Sequence, residues 1–467
     1  MAGGIEGWVD HPEYRREIAR ARALVTSTRE RWRILYHYDG DGIASASAAI
    51  RAFERLGAPT QATPFVGVER ERMQRLLERT KTPVMIVDTG ASWLDLASAH
   101  KEPVVVLDHH QYPHLKEGQE LPAHVALVNP LDWDVNGMSE LSASSLTWLF
   151  TVVLDERNWD NAAFGLSGVI ADRQHVGGLK GLNRKLVDEA VRRSLLEPRR
   201  DLALYGASTL EALEHGIDPF IAGLSGRPES VRSFLHELGV DPERPPSSLT
   251  QAQRERVGKA LRERLKVQGA RPEFLGVLDQ EDWFIPALAL TAGELSNLQN
   301  ATGREEIPGV GVALALGDTE ALKSSRAAEG RWRAGILKGL LRLEDHGVNS
   351  LKAVQWFESP ETTLAGTQAG LAMTYLLDYH RPVFVFSKST DGRAIKVSGR
   401  GTVWLVGEGL DLASACRVAG ALVGGEGGGH SVASGATIPL GARDAFLAEA
   451  DRIVSEQIPQ VLEEVSA

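Results

Sequence analysis

Three side chains able to bind a cation stand at alternate positions in "YHYDGDG" (36–42): His37, Asp39 and Asp41. Neighbouring carboxylates repel one another, so the cluster is costly unless positive charge sits between them. Two further stretches end in the same way. Asp88 closes the apolar run "VMIVD", and Asp108 closes "VVVLD" with His109 and His110 directly behind it. Side chains two apart on a strand share a face, so His37, Asp39 and Asp41 converge if the strand stays extended to its end. Each acid alone reads more often as a helix cap. All three, however, stand at the same kind of strand end, and open parallel sheets bind ligands beyond the carboxyl ends of their strands. Four carboxylates and several imidazoles in one cleft call for divalent cations. Oxygen ligands mixed with imidazole suit manganese, magnesium or iron; with Cys416 the only cysteine, a cysteine-based zinc site is ruled out. The donors exceed what one ion needs. Two ions about 3.5–4 Å apart, bridged by a shared carboxylate, would use them all, and that arrangement serves phosphoryl transfer.

The elements that must position these residues are short and apolar throughout: 33–39, 83–90, 103–110 and 124–130. That is how strands covered on both faces read. Segments between them, such as 68–80, fit helices, and the alternation implies a mainly parallel, doubly covered sheet. The expected fold is α/β. A parallel-sheet catalytic domain spans 1–189 and 283–317, a mostly helical insertion 190–282, a long connecting helix 318–350, and a smaller α/β unit 351–467. In that last unit, strands are expected at 382–388 and 394–401. The second would place Lys396, Ser398 and Arg400 on one face, which suits a phosphate but reads slightly more readily, from spacing alone, as an ordinary amphipathic strand with solvated charges. "GGEGGGH" (424–430) reads as too glycine-rich for regular structure, with backbone N–H groups free to approach an anion. Trp93 and Trp133 are expected in the core, and Asn129, Ser142 and Ser145 in the cleft floor.

Bulk properties set the frame. The 467 residues imply two to four domains, and 43% hydrophobic with 24% charged residues is globular composition. No apolar run reaches the ~18 residues of a membrane span, and the N-terminus lacks a signal-peptide pattern, so no membrane role is expected. A lone cysteine permits no intrachain disulfide and fits a cytoplasmic setting. A net charge of -11 argues against a broadly basic nucleic-acid surface while allowing a local basic groove.

In order along the chain, "HYDGDG" (37–42), "VDTG" (87–90), "LDHHQ" (107–111) and "GVIADRQ" (168–174) resemble the four phosphoesterase motifs of the DHH superfamily. "VSGRGT" (397–402) followed by "GGEGGGH" resembles its DHHA1 C-terminal domain. Within the superfamily the chain looks most like archaeal RecJ-like single-strand exonucleases, including the GINS-associated type. Looser support comes from "DPFIAGLSG" (218–226), "LSNLQNATGR" (295–304) and "LAGTQAG" (364–370). The resemblance implies one cation, most readily Mn2+ or alternatively Mg2+, held by His37, Asp39 and Asp88. A second would be held by Asp41, Asp88, His109 and Asp172, with Asp88 bridging. Asp108 would orient the imidazoles and His110 would contact the scissile phosphate. Ser398, Arg400, Gly427, Gly428, Gly429 and His430 would bind the substrate. The implied activity is stepwise hydrolysis of single-stranded DNA or RNA to mononucleotides, in replication or repair. Two alternatives stay open: a phosphodiesterase for short oligonucleotides or cyclic dinucleotides, and a replication scaffold that binds GINS with little turnover. Ala171 stands where the motif often has Gly.

Overall fold

The computed structural model describes residues 5–65, 70–113, 120–199, 202–389 and 391–466. The chain forms two compact units, one of Met1–Ala203 with Gln280–Trp332, the other of Leu204–Asp279 with Arg333–Ala467. Among the described residues no helix is long and apolar enough to cross a membrane.

The first unit is built on five parallel strands: β1 (Trp32–His37), β2 (Thr60–Phe65), β3 (Val84–Val87), β4 (Val104–Leu107) and β5 (Val125–Val128). Their order is β2-β1-β3-β4-β5. β2 is not announced by its sequence. It is an edge strand with Pro64 and little burial, so it lacks the apolar run that marks the others. Alternate residues of β1, β3, β4 and β5 feed opposite faces. Ile34, Met85, Val105 and Ala126 pack against helices Pro12–Thr26, Gly40–Arg55 and Ala143–Leu154. Leu35, Ile86, Val106 and Leu127 pack against Met73, Leu77 and Leu94 of the helices Arg70–Arg79 and Leu94–Ala99. The first two residues of the expected helix 68–80 lie outside the described residues. Burial on both faces explains why these strands are apolar without alternation.

A small antiparallel sheet, β6 (Glu197–Arg199), β7 (Asp282–Ile285) and β8 (Leu290–Thr291), stands at the root of the inserted segment. The helix Gly181–Arg192 runs through residue 190, where the insertion was expected to begin. The segment between β6 and β7 is helical as expected, with Pro228–Glu237 and Gln251–Val267 its longest elements. The long helix is Thr319–His346.

The second unit carries a six-stranded mixed sheet. Its strands are β9 (Asn349–Ser350), β10 (Gln355–Glu358), β11 (Val383–Lys388), β12 (Ala394–Arg400), β13 (Glu426–Gly429) and β14 (Ala433–Pro439). The order is β13-β14-β12-β11-β10-β9. One expectation fails here. "EGGG" is a regular strand, paired antiparallel with β14. Its glycines suit it to close packing: a Cβ on Gly427 would stand 2.1 Å from the Cys416 carbonyl oxygen of helix Leu412–Leu422.

Candidate metal centre

The three acid-bearing strand ends do meet, but not by an extended strand. β1 stops at His37, Asp39 is the N-cap of helix Gly40–Arg55, and Asp41 already lies in its first turn. The expectation of continued extension is corrected by that cap: the Asp39 side chain accepts from the Gly42 amide at 3.2 Å and turns the chain. Asp39 is therefore both a helix cap and a cleft residue. The turn demands glycine, because a Cβ on Gly42 would stand 2.1 Å from the His37 carbonyl oxygen. Asp88 follows β3 in a left-handed conformation, φ 59°.

Two groups of possible ligands form around Asp88. In the first, His37 Nδ1 lies 2.9 Å from Asp39 Oδ2 and 3.5 Å from Asp88 Oδ2. In the second, His109 Nε2 lies 3.3 Å from Asp88 Oδ1, 3.4 Å from Asp172 Oδ2 and 3.8 Å from Asp41 Oδ2. The donor atoms of His37, Asp39 and Asp88 are mutually within 4.8 Å, as are those of Asp41, His109 and Asp172. A third overlapping group is Asp88, His109 and His110. The donor chemistry fits hard divalent cations. His37 adds a geometric sign: its buried Nδ1 makes no well-angled hydrogen bond despite the carboxylate oxygens around it. A shared cation would satisfy a nitrogen and oxygens arranged in this way.

Without a cation, the carboxylates and imidazoles push one another's protonation apart. Burial, then the charge of Asp88, raises the Asp41 carboxyl to about 6. Asp172 is held well above the usual carboxylate range, first by burial and then by Asp41. Burial opposes the His37 cation, but Asp39 and Asp88 outweigh it and lift the imidazole to about 11. His109 is raised likewise against burial, by Asp88, Asp172 and Asp41.

Asp41 is fixed by the start of helix Ala143–Leu154. It accepts from the amides of Ala143 at 2.8 Å and Ser144 at 3.0 Å, and from Ser142 Oγ at 3.1 Å. Asp172 caps the end of helix Ala162–Ala171. These helices touch through Gly168, whose added Cβ would lie 2.1 Å from Ser144 Oγ and 2.3 Å from Asp41 Oδ1. Gly168→Ala is therefore expected to cost about 1–3 kcal/mol by overpacking and to weaken metal binding. Urea unfolding and manganese titration of the variant check this.

Asp108 belongs to neither group. It accepts from the amides of Ala91, His109 and His110 and, at 2.8 Å, from His110 Nδ1. That bond turns His110 Nε2 outward, and the ring is 51% exposed. Asn129 Nδ2 holds the His110 carbonyl at 3.0 Å. Trp93 and Trp133 are buried, as expected.

In the second unit, residues paired across β12, β14 and β13 share a face: Ser398, Gly435 and Gly428 form one row. A Cβ on Gly428 would meet nothing within 4 Å, so that end of the row is bare backbone. Arg400 is two residues along β12 from Ser398, on the same face, and a Cβ on Gly366 would approach its guanidinium to 2.9 Å. His430 is exposed at the end of β13. Gly427 instead faces helix Leu412–Leu422, and Gly429 takes φ +141° at the strand end. Of the six residues expected at a substrate site, Ser398, Arg400 and Gly428 share one face of the sheet. Gly427 serves packing.

Two family models match the chain: "DHH family, N-terminal domain" over residues 31–169 and "DHHA1 domain" over residues 358–456. The chain belongs to the DHH/DHHA1 superfamily. An uncharacterized protein of Methanocaldococcus jannaschii is 25% identical over 431 residues, which cover 91% of this chain and 94% of that one. A manganese-bound RecJ exonuclease superposes with a TM-score of 0.58 at 19% identity, covering 94% of each chain. CDC45 of Entamoeba histolytica gives 0.64 at 10% identity, over 95% of this chain and 98% of that one. RecJ of Thermus thermophilus with Mn2+ gives 0.57 at 18% identity over 97% of this chain, which spans 56% of that longer one. At these identities the structures establish a shared fold.

Sequence reading missed two supports of the DHH centre. Gly137 brings its carbonyl to His109 Nδ1 at 2.7 Å, and a Cβ there would lie 2.3 Å from the His109 carbonyl oxygen. Asn300 Oδ1 accepts from the Gly40 amide at 2.9 Å, and Gly303 backs onto the Tyr38 carbonyl, 2.0 Å from an added Cβ. The second pair joins "LQNATGR" (298–304) to "HYDGDG". The nearby Gly punctuation was the available signal in both cases.

Proposed function

We propose that this chain is a two-metal exonuclease that hydrolyses single-stranded DNA or RNA from an end and releases mononucleotides. The observation that carries it is the pair of ligand groups meeting at buried Asp88. His37, Asp39 and Asp88 would hold one divalent cation; Asp41, Asp88, His109 and Asp172 would hold the other. When bound, manganese or magnesium would supply Lewis acidity for ionising a water and offsetting phosphate charge. His110, set by Asp108, offers an exposed imidazole nitrogen to the scissile phosphate. Ser398, Arg400 and His430 offer a phosphate contact in the DHHA1 domain. Arg304 places its guanidinium on Tyr38 beside His37 and offers a further cation at the cleft edge.

A time course on a 20-mer, as DNA and as RNA, labelled at either end, tests the reading. Metal-dependent release of mononucleotides that stops in EDTA is the expected result. Turnover of a dinucleotide alone would replace it with a small-substrate phosphodiesterase. The likeness to CDC45 favours a second reading, a replication scaffold that binds GINS. Tight strand and GINS binding with no cleavage of either substrate would select it.

A further inference from the structure

We propose that Gln174 and Asn183 are positioning residues, which set the tautomer of His109 and hold it in register with Asp41. The inference rests on the two-cation reading above. The Gly137 carbonyl, which meets His109 Nδ1, also accepts from Gln174 Nε2 at 2.8 Å. A carbonyl oxygen can only accept, so both of its partners must donate. His109 therefore carries a proton on Nδ1 and keeps Nε2 for the face occupied by Asp41, Asp88 and Asp172. The same logic runs outward. Gln174 spends its N–H on Gly137, so its Oε1 must accept, and Asn183 Nδ2 donates to it at 2.8 Å. Asn183 then presents Oδ1, which accepts from Ser145 Oγ at 2.6 Å. Ser145 lies in the first turn of the helix whose start holds Asp41.

Each member of this relay is buried: His109, Gln174, Asn183 and Ser145 are all at most 6% exposed. Water cannot easily replace a lost partner there, and an unsatisfied buried group is costly. The relay joins Asp41 and His109 of the second ligand group and does not touch His37 or Asp39. Its loss should therefore act on one cation and not on the other. Metal-ligating histidines commonly depend on such a partner at their other nitrogen.

Manganese titration calorimetry on the full chain tests this, with unfolding followed in EDTA to report the fold. Gln174→Met keeps the volume and removes both hydrogen bonds. Asn183→Asp is isosteric and sets a carboxylate oxygen against Gln174 Oε1. Each variant is expected to weaken one manganese-binding event about 10–100-fold and to leave the other unchanged. Equal loss at both events, or no loss at either, would overturn the relay. A measurement on the metal-free wild type does not depend on the folding of either variant. With 15N-labelled histidine, His109 should show a slowly exchanging Nδ1–H, assigned by its loss in His109→Gln. A freely exchanging Nδ1–H would also overturn the relay. Absence of any manganese binding by the wild type would instead sink the two-cation reading, so the two failures are distinguishable.

Discussion

Asp88→Asn is expected to lower any metal-dependent hydrolysis by roughly 10³-fold or more, beyond the 10–100-fold typical of lost outer partners. The carboxylate is 2% exposed, and its two oxygens face different groups. One oxygen is 3.5 Å from His37 Nδ1; the other is 3.3 Å from His109 Nε2. Among the described residues no other side chain lies in a group with His37 and also in one with His109. Asn is the informative replacement because of the backbone. At φ 59° most side chains are strained, whereas Asn tolerates the left-handed region about as well as Asp. Asp88→Ala would confound lost charge with backbone strain. Asp88→Asn keeps size and conformation and removes one negative charge and one cation-binding oxygen. Circular dichroism should match the wild type while manganese titration loses a binding event. Undiminished hydrolysis by a well-folded Asp88→Asn protein would rule out Asp88 as the shared ligand.

The residues at this centre were legible because they are local. His37, Asp88 and Asp108–His109 stand at or just past the ends of apolar strands, and the carboxyl ends of one parallel sheet lie along one edge; Asp172, at the end of helix Ala162–Ala171, was reached only through the motif resemblance. Topology alone therefore brought Asp88 and Asp108–His109–His110 to β1. The mode of convergence at β1 was not legible. Alternation suggested an extended strand, but the Asp39 cap and two close-packed glycines start a helix instead, and no periodicity rule separates those outcomes over five residues. Supports contributed by distant segments were equally hidden. Gly137 reaches His109 across 28 positions and Asn300 reaches Gly40 across 260. Such contacts exist only once the sheet is assembled. β13 failed for a different reason. Glycine is a poor strand former by propensity, but pairing with β14 and close approach to helix Leu412–Leu422 make the absence of side chains an advantage. β2 was invisible because an edge strand need not be apolar.

Cation binding is expected to stabilise the protein more at pH 8 than at pH 5, through two effects of the same sign. Asp41 has a metal-free folded value of about 6 against 3.8 for the isolated group. A folded value above the unfolded one means that the native state holds the proton more tightly. Its contribution to metal-free stability is thus complete below about pH 4 and is lost as pH rises through about 6. Asp172 is displaced in the same direction. The metal-free protein therefore accumulates carboxylate repulsion as pH rises over this range, and a bound cation relieves it. The imidazoles add the second effect. His37, raised to about 11, and His109, also raised, are protonated at neutral pH without metal. Each must shed a proton before its nitrogen can ligate. Every proton displaced makes affinity rise tenfold per pH unit, about 1.4 kcal/mol. With ligand in excess that gain appears directly in the unfolding midpoint. Unfolding scans with EDTA or with excess manganese, from pH 5 to pH 8, should show the metal-induced shift growing steadily with pH. Calorimetry in two buffers of different ionisation enthalpy should count at least one proton released per chain at pH 7.5. A shift independent of pH, with no proton release, would mean that these imidazoles do not ligate, and the cation would then have to be held by the carboxylates alone.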